Sequence, residues 1–209
     1  MADAAAIASI ISAAGTLVLA GATFAAVRSA NTAARTAERS LMAGLRPLLI
    51  PSRTTDPPMK VLWSDSHFIR LDGGQAHAAI DSDVIYLALA IRNAGTGMAV
   101  LHAWQGSPAD FDNQVRPDPN TFRRLSIDLF IPPGEPGFWE SAYRDPAEPA
   151  FKEAADAIAN RQALFIDVLY GDQEGGQRAI TRFIAVPAGE ENWYTQTGRT
   201  WNIDRPDPR

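Results

Sequence analysis

The chain has 209 residues, no cysteine and a formal net charge of −5 at pH 7. The lack of cysteine excludes disulfides, thiolate catalysis, iron–sulfur clusters and the common structural zinc sites. Residues 1–46 carry a net charge of +2 and residues 47–209 one of −7, which together give −5. Because an acidic domain repels phosphate backbones, we expect no nucleic-acid partner.

Residues 4–27 form an uncharged, alanine-rich segment that contains eight strongly apolar side chains. A helix needs about 20 apolar residues to cross a bilayer, so this segment predicts a transmembrane helix over residues 1–27 that contacts membrane lipids through residues 4–27. A cleaved signal peptide, a buried core helix and an amphipathic helix on the membrane surface are the alternatives. Small residues at fourfold spacing, such as Ser9 and Ala13, would also permit a homo-oligomer through this helix.

Basic residues follow this segment, whereas none precedes it. They are Arg28, Arg35, Arg39 and Arg46. The positive-inside rule then predicts a single-pass protein of the inner membrane with its C-terminal domain in the cytoplasm. Residues 28–46 are predicted as a basic helical stalk that ends before Pro47, because the residue before a proline disfavours helix.

Residues 47–204 show short strand patterns separated by turns. The strongest strand is predicted over residues 84–91, which are apolar on both faces. Further strands are predicted at 48–50, 60–63, 68–71, 98–104, 125–131, 137–143, 163–170 and 179–186. One short helix follows Asp145-Pro146. The pattern predicts a mainly β domain, an antiparallel immunoglobulin-like β-sandwich, with a disordered tail over residues 205–209.

The three histidines are the first candidates for chemistry. His67, His77 and His102 do not share the i, i+2 or i, i+4 spacing that would direct two imidazoles at one metal ion. Carboxylates lie near the first two histidines in sequence, namely Asp65, Asp81 and Asp83. Because any acidic domain offers such neighbours, we predict no catalytic, cofactor-binding or metal-binding residue.

Two other patterns admit a functional and a structural interpretation. The aromatic residues Trp193, Tyr194 and Trp201, with Asp204, could stack on a ring, but aromatic residues more often complete a small core. The segment 93–99 (Asn-Ala-Gly-Thr-Gly-Met-Ala) lacks the third glycine and the helix of a dinucleotide site. We interpret it as a tight reversal in which Asn93 and both glycines supply positive φ.

These turn motifs resemble those of a loose group of uncharacterised bacterial single-pass membrane proteins. The group has an N-terminal transmembrane helix, a basic stalk, an Arg-Pro pair before the first strand and a small immunoglobulin-like β-sandwich. Its Asn-x-Gly-x-Gly-x-Ala motif corresponds here to residues 93–99, and its late Tyr-x-Asp-x-x-Gly hairpin to residues 170–175. The resemblance implies a fold and a membrane address, and it implies no activity.

The predicted function is a membrane-anchored binding or scaffolding module for an unidentified protein partner, without catalytic activity. We expect the contact surfaces on the loop 106–121 and on the hairpin tip 171–176, since loops commonly carry function. The alternatives are a membrane-associated hydrolase with a His/Asp site on the sandwich, and an exported, adhesion-like sandwich domain.

Overall fold

The computed structural model describes residues 2–112 and 115–206, and within these ranges all side chains except those of 2–14, 39, 42, 43 and 128. The chain forms two compact units, a helical one that ends at Ala43 and a β-rich one that begins at Gly44. The predicted disordered tail lies outside the described residues from position 207 onward.

A single helix, α1 (Ala2–Gly44), makes up the first unit. It runs without a break through the predicted span and the predicted stalk. The large apolar side chains that the structure describes on this helix are exposed to solvent, from 53% for Val27 to 74% for Leu17. The helical unit by itself therefore leaves an apolar surface uncovered.

The prediction of a membrane-spanning segment is wrong. In the part of the chain that the structure describes, no helix is both long enough and apolar enough to cross a membrane. Many residues of the segment 4–27 are alanine, which contributes little to insertion. The side chains of residues 4–14 lie outside the described part of the chain. This finding contradicts the predicted inner-membrane localisation.

The β-rich unit contains one large sheet and one separate hairpin. The large sheet consists of β1 (Leu49–Pro51), β4 (Gln75–Asp81), β5 (Val84–Asn93), β6 (Ala99–Pro108), β7 (Arg123–Ile131), β8 (Pro136–Tyr143), β9 (Leu164–Gly171), β10 (Ala179–Ala188) and β11 (Asn192–Asn202). The hairpin pairs β2 (Met59–Leu62) with β3 (Phe68–Leu71). Helix α2 (Pro149–Ala159) follows β8. The predicted mainly β, antiparallel character is therefore confirmed for the described residues.

The large sheet curls so that its two outer strands approach each other. Its strand order is β1-β5-β4-β11-β10-β9-β6-β7, and β8 pairs with β5 along the side opposite to β4. Cα atoms of β7 and β8 come within 8 Å, although no hydrogen-bonded ladder joins these strands in the described residues. We call this unpaired boundary between β7 and β8 the seam.

Strand β5 separates two apolar cores because it is buried on both faces, as its sequence predicts. Its inner-face residues, Ile85, Leu87, Leu89 and Ile91, join the main core. On the outer face, Tyr86, Ala88 and Ala90 are covered by the β2–β3 hairpin. Helix α2 buries Phe151, Ala154 and Ala157 in the main core. Its N-cap is Glu148, three residues later than predicted, and Pro149 occupies its first turn.

The reversal between β5 and β6 forms as predicted but for another reason. Asn93, Gly95 and Gly97 are not among the residues with positive φ. The buried Asn93 side chain accepts hydrogen bonds from the amides of Leu48 (3.1 Å) and Gly95 (2.9 Å), and donates to the carbonyls of Gly97 (2.7 Å) and Ile131 (3.0 Å). A Cβ on either glycine would overlap the backbone just before β1. Close approach, rather than positive φ, therefore requires glycine here.

Candidate functional site

Four rings gather beneath the β2–β3 hairpin on the outer face of the large sheet. Trp63, directly after β2, is only 3% exposed, and its indole N–H donates to the carbonyl of Ser141 (3.0 Å). The ring centroids of His67, His77 and Tyr86 lie 5.4, 6.2 and 5.2 Å from that of Trp63. We call these four residues the Trp63 cluster. The fold thus brings together two of the three histidines that the sequence singled out.

Asp65 ties the loop between β2 and β3 to this cluster. The Tyr86 hydroxyl donates to the Asp65 carboxylate (2.7 Å), which also forms an ion pair with Arg144. Burial alone would raise the pKa of Asp65, but the hydrogen bonds from Arg144 and Tyr86 hold that pKa well below its usual range. His67 stacks on Tyr86 with ring centroids 3.9 Å apart. These contacts occupy Asp65, so it positions the loop.

His77 is held neutral by its surroundings. It lies on β4, and its Nε2 atom is buried without a hydrogen-bond partner among the described residues. Burial, with a smaller effect from the charge of His67, lowers the pKa of His77 to about 4. The imidazole is therefore uncharged at neutral pH.

Glu140 lies in the same row of the sheet as His77. Ala88 on β5 is the register partner of both His77 on β4 and Glu140 on β8. Glu140 is 4% exposed, and it forms no ion pair with any side chain that the structure describes. Burial raises the pKa of Glu140 to about 7. The charge of Arg144 acts to lower this pKa, and that of Asp65 acts to raise it. Near neutral pH this carboxyl therefore exists in both protonation states.

A cleft of about 280 Å³ opens beside Glu140 at the seam. Its polar lining includes Arg123, Arg124 and Ser126 from β7 and Glu140 from β8. Arg144, Trp63 and Trp104 contribute further walls. We call this space the seam cleft. It combines guanidinium groups, one buried carboxyl and two indole rings.

Two of the three arginines at the seam cleft have acidic partners. Arg123 forms an ion pair with Glu148 and lies 4.9 Å from the ring centroid of Tyr143. Arg144 is paired with Asp65. Arg124 is exposed and has no carboxylate partner among the described side chains. The cleft therefore offers a guanidinium that a ligand can bind without displacing an ion pair of the described side chains.

A second cleft, also of about 280 Å³, lies under the loop that follows β6. Arg182 donates hydrogen bonds of 2.8 and 2.9 Å to the buried carboxylate of Asp167. The guanidinium of Arg182 also lies over the rings of Phe165 (4.5 Å) and Trp201 (5.2 Å). This ion pair is mutually satisfied, which indicates a structural role.

Each of the two predicted contact loops overlaps a strand of the structure. Residues 106–108 belong to β6, so the loop begins later than predicted, and its residues 113 and 114 lie outside the described residues. At the tip 171–176, Asp172 is buried and accepts a hydrogen bond from the amide of Gly176 (2.8 Å). This contact gives the Asp172 side chain a structural role.

The remaining predicted candidates do not line the seam cleft. His102 lies on an exposed part of β6, close to Gly171. Trp193 and Trp201 are buried, as the structural interpretation predicted, whereas Tyr194 is 43% exposed and does not complete the core. Asp204 forms an ion pair with Arg178 (2.7 Å). Among the described side chains, no group of three or more histidine, aspartate and glutamate residues could hold a metal ion.

The residues of the seam cleft carried little signal in the sequence. Glu140 is the one charged residue in the strand pattern 137–143, which is otherwise apolar or small. A carboxylate in such a strand indicates either an exposed face or a functional group. The pairing of β4, β5 and β8 was needed to decide between them.

Comparison of the chain with protein-family models, with curated proteins and with solved structures gives no match. The resemblance to bacterial membrane proteins therefore stays a prediction.

Proposed function

We propose that the β-rich unit is a binding module and that the seam cleft is its ligand site. The observation that carries this proposal is the position of Glu140, a buried carboxyl at the edge of an open cleft that forms no ion pair with the described side chains. Burying an ionisable group without a charged partner is unfavourable for folding. Such groups are concentrated at functional sites.

The other strongly perturbed carboxylates support this assignment by contrast. Asp65, Asp167 and Asp204 each have an arginine partner, and Asp167 is the one of these three that is buried. Glu140 has no such partner among the described residues, and solvent reaches it through the seam cleft. A ligand that enters the cleft can provide the missing partner.

The test is a binding screen on the full chain with small anionic, neutral and cationic aromatic compounds. The indole N–H signals of Trp63 and Trp104 are followed by NMR and assigned with Trp63→Phe and Trp104→Phe. At least one compound class should shift these signals in a saturable manner. Ser126→Trp, which fills the cleft, should abolish the shift, whereas Thr197→Trp on exposed β11 should not. If no class shifts either signal, the proposal is wrong.

A hydrolase is the second candidate, and the pKa of Glu140 favours it. A carboxyl that titrates at about 7 is suited to general acid–base catalysis near neutral pH. This candidate predicts turnover of nitrophenyl esters or glycosides that Glu140→Gln abolishes while ligand binding persists. Binding without turnover across such substrates would leave the binding module as the function.

The finer fold class is also part of this proposal. We propose that the curled sheet is an immunoglobulin-like β-sandwich, which is supported by the one main core that receives side chains from β4, β5, β8, β9 and β10. A protein partner, and self-association through α1, stay predictions. The exposed apolar side chains of α1 are consistent with self-association.

A further inference from the structure

The polar groups of the seam cleft are mainly hydrogen-bond donors. Its three guanidinium groups donate and cannot accept, and Glu148 and Asp65 neutralise only two of them. Serine hydroxyls add further donors at positions 64, 126 and 141. The one carboxyl in the lining is Glu140. A ligand rich in acceptors fits this arrangement better than one rich in donors.

Glu140 itself can act as a donor in this setting. Its neighbours include charged groups from each element packed around it: Arg144 after β8, Asp65 in the β2–β3 loop, Arg123 and Arg124 on β7. His77, across Ala88, is neutral. Burial raises the pKa of Glu140 to about 7, so below that pH its carboxyl carries a proton that it can donate. Above that pH it is an anion.

The two indole rings in the lining favour a ligand with an apolar or flat part. Trp63 and Trp104 both line the cleft, and both are almost fully buried, so their positions are fixed by packing. A volume of about 280 Å³ is at the small end for ligand sites. The space therefore suits a compact molecule with an apolar or flat body and one charged group.

We infer that the ligand of the seam cleft is a small organic anion, with a carboxylate or phosphate bound by Arg124 and an apolar body between Trp63 and Trp104. This inference rests on the proposed function and adds the charge class of the ligand. Arg124 is the assigned anchor because binding there breaks no ion pair of the described residues. A protonated Glu140 donates the second hydrogen bond, so the affinity falls when this proton is lost.

The experiment is a calorimetric titration of the full chain at pH 6 and pH 8. The probes are benzoate, phenyl phosphate, benzyl alcohol and benzylamine, which separate carboxylate, phosphate, neutral and cationic ligands. One or both anions should bind, and Arg124→Gln should weaken that binding about tenfold or more, as expected for a charge-assisted hydrogen bond. The matched control is Arg70→Gln on exposed β3, which should leave the affinity unchanged.

The role of the Glu140 proton is tested by the same titrations. In the wild type benzoate should bind about tenfold more weakly at pH 8 than at pH 6. Benzoate is the probe for this comparison because phenyl phosphate itself loses a proton at about pH 6. Glu140→Gln keeps a neutral donor at both pH values, so its affinity should vary little. An affinity of the wild type that is equal at both pH values overturns the role of Glu140.

The outcomes separate this inference from the proposed function. If benzyl alcohol or benzylamine binds as tightly as the anions and shifts the Trp63 and Trp104 signals, the cleft is a ligand site but the anion class is wrong. If anion binding is equally insensitive to Arg124→Gln and Arg70→Gln, the assigned anchor is wrong. If none of the four probes binds or shifts these signals, both the inference and the proposed function fail.

Discussion

His77 and Glu140 flank Ala88 in one row of the sheet, and folding moves their pKa values in opposite senses. The pKa of Glu140 rises from 4.5 to about 7, and that of His77 falls from 6.5 to about 4. Between about pH 4.5 and 6.5 the unfolded chain therefore binds a proton at His77, and the folded chain binds one at Glu140. The two states bind equal numbers of protons at these sites, so the contributions of the two sites to the pH dependence of the free energy of unfolding cancel.

Single substitutions at Glu140 and His77 should make the free energy of unfolding depend on pH, because the contributions of the two sites no longer cancel. In Glu140→Gln only His77 titrates, the unfolded state binds more protons, and the free energy of unfolding should rise from pH 4.5 to 6.5 relative to wild type. In His77→Gln only Glu140 titrates, the folded state binds more protons, and that free energy should fall over the same range. Each change should be about 1–3 kcal/mol, since one pKa unit corresponds to 1.36 kcal/mol. Urea unfolding at several pH values measures both.

The double variant provides the internal control for this prediction. Glu140→Gln with His77→Gln should again follow the wild-type profile, since neither site titrates. Glu135→Gln, at an exposed turn, should leave the profile unchanged. Single-variant profiles parallel to that of the wild type would show that the two pKa shifts are absent.

Asn93→Ala should destabilise the β-rich unit by about 3 kcal/mol or more. The substitution leaves two amides and two carbonyls without their partner, and an unsatisfied buried group costs about 1–3 kcal/mol. Asn120→Ala is the matched control, since the Asn120 side chain bonds to Asp118 at the surface, and it should cost about 0.5 kcal/mol or less. Equal losses in chemical denaturation would contradict the central role of Asn93.

Gly97→Ala tests the close approach of the β5–β6 reversal to the backbone before β1. The new Cβ would overlap the Leu45 backbone, so we expect a loss of about 2 kcal/mol or more in the free energy of unfolding. In Gly198→Ala the nearest atoms lie 3.4 Å from the new Cβ, and the change should stay within about 0.5 kcal/mol. A tolerated alanine at position 97 would mean that the segment before β1 can move away.

The buried Asp167–Arg182 pair should behave as one unit. Asp167→Leu or Arg182→Met alone leaves a buried charge without its partner and should cost about 3–5 kcal/mol. The double variant should cost much less than the sum of the single losses, because no unpaired charge remains. Thermal unfolding of the four proteins gives the coupling free energy. Additive losses would show that the two charges do not depend on each other.

The sequence predicted the apolar strands better than the polar ones. Strand β5 was found because its apolar run is continuous, and α2 because of its apolar stripe. Strand β4 was missed since its alanines have low strand propensity, and β11 since Thr195–Arg199 is polar and contains Gly198. Both strands form hairpins with a strand adjacent in sequence, β4 with β5 and β11 with β10 along its length. This pairing stabilises them although their own residues give a weak strand pattern.

The sequence alone could not predict the seam cleft, because residues far apart in sequence come together only in the folded sheet. His77 and Glu140 are 63 residues apart in sequence, and only the register of β4 and β8 on β5 places them in one row. A register shift of one residue would turn Glu140 to the opposite face. The membrane prediction was wrong because an uncharged, alanine-rich segment has the length of a span but only part of its hydrophobicity.

The first and the last segments of the β-rich unit lie next to each other. The guanidinium of Arg46, just before β1, donates to the side-chain oxygen of Asn202 at the end of β11 (2.6 Å). Adjacent ends allow a unit to be inserted into a surface loop of a host protein, or to be circularly permuted with a short linker. The β-rich unit is therefore suited to insertion into another protein. A circular permutant would have its new chain ends at the exposed turn between β10 and β11.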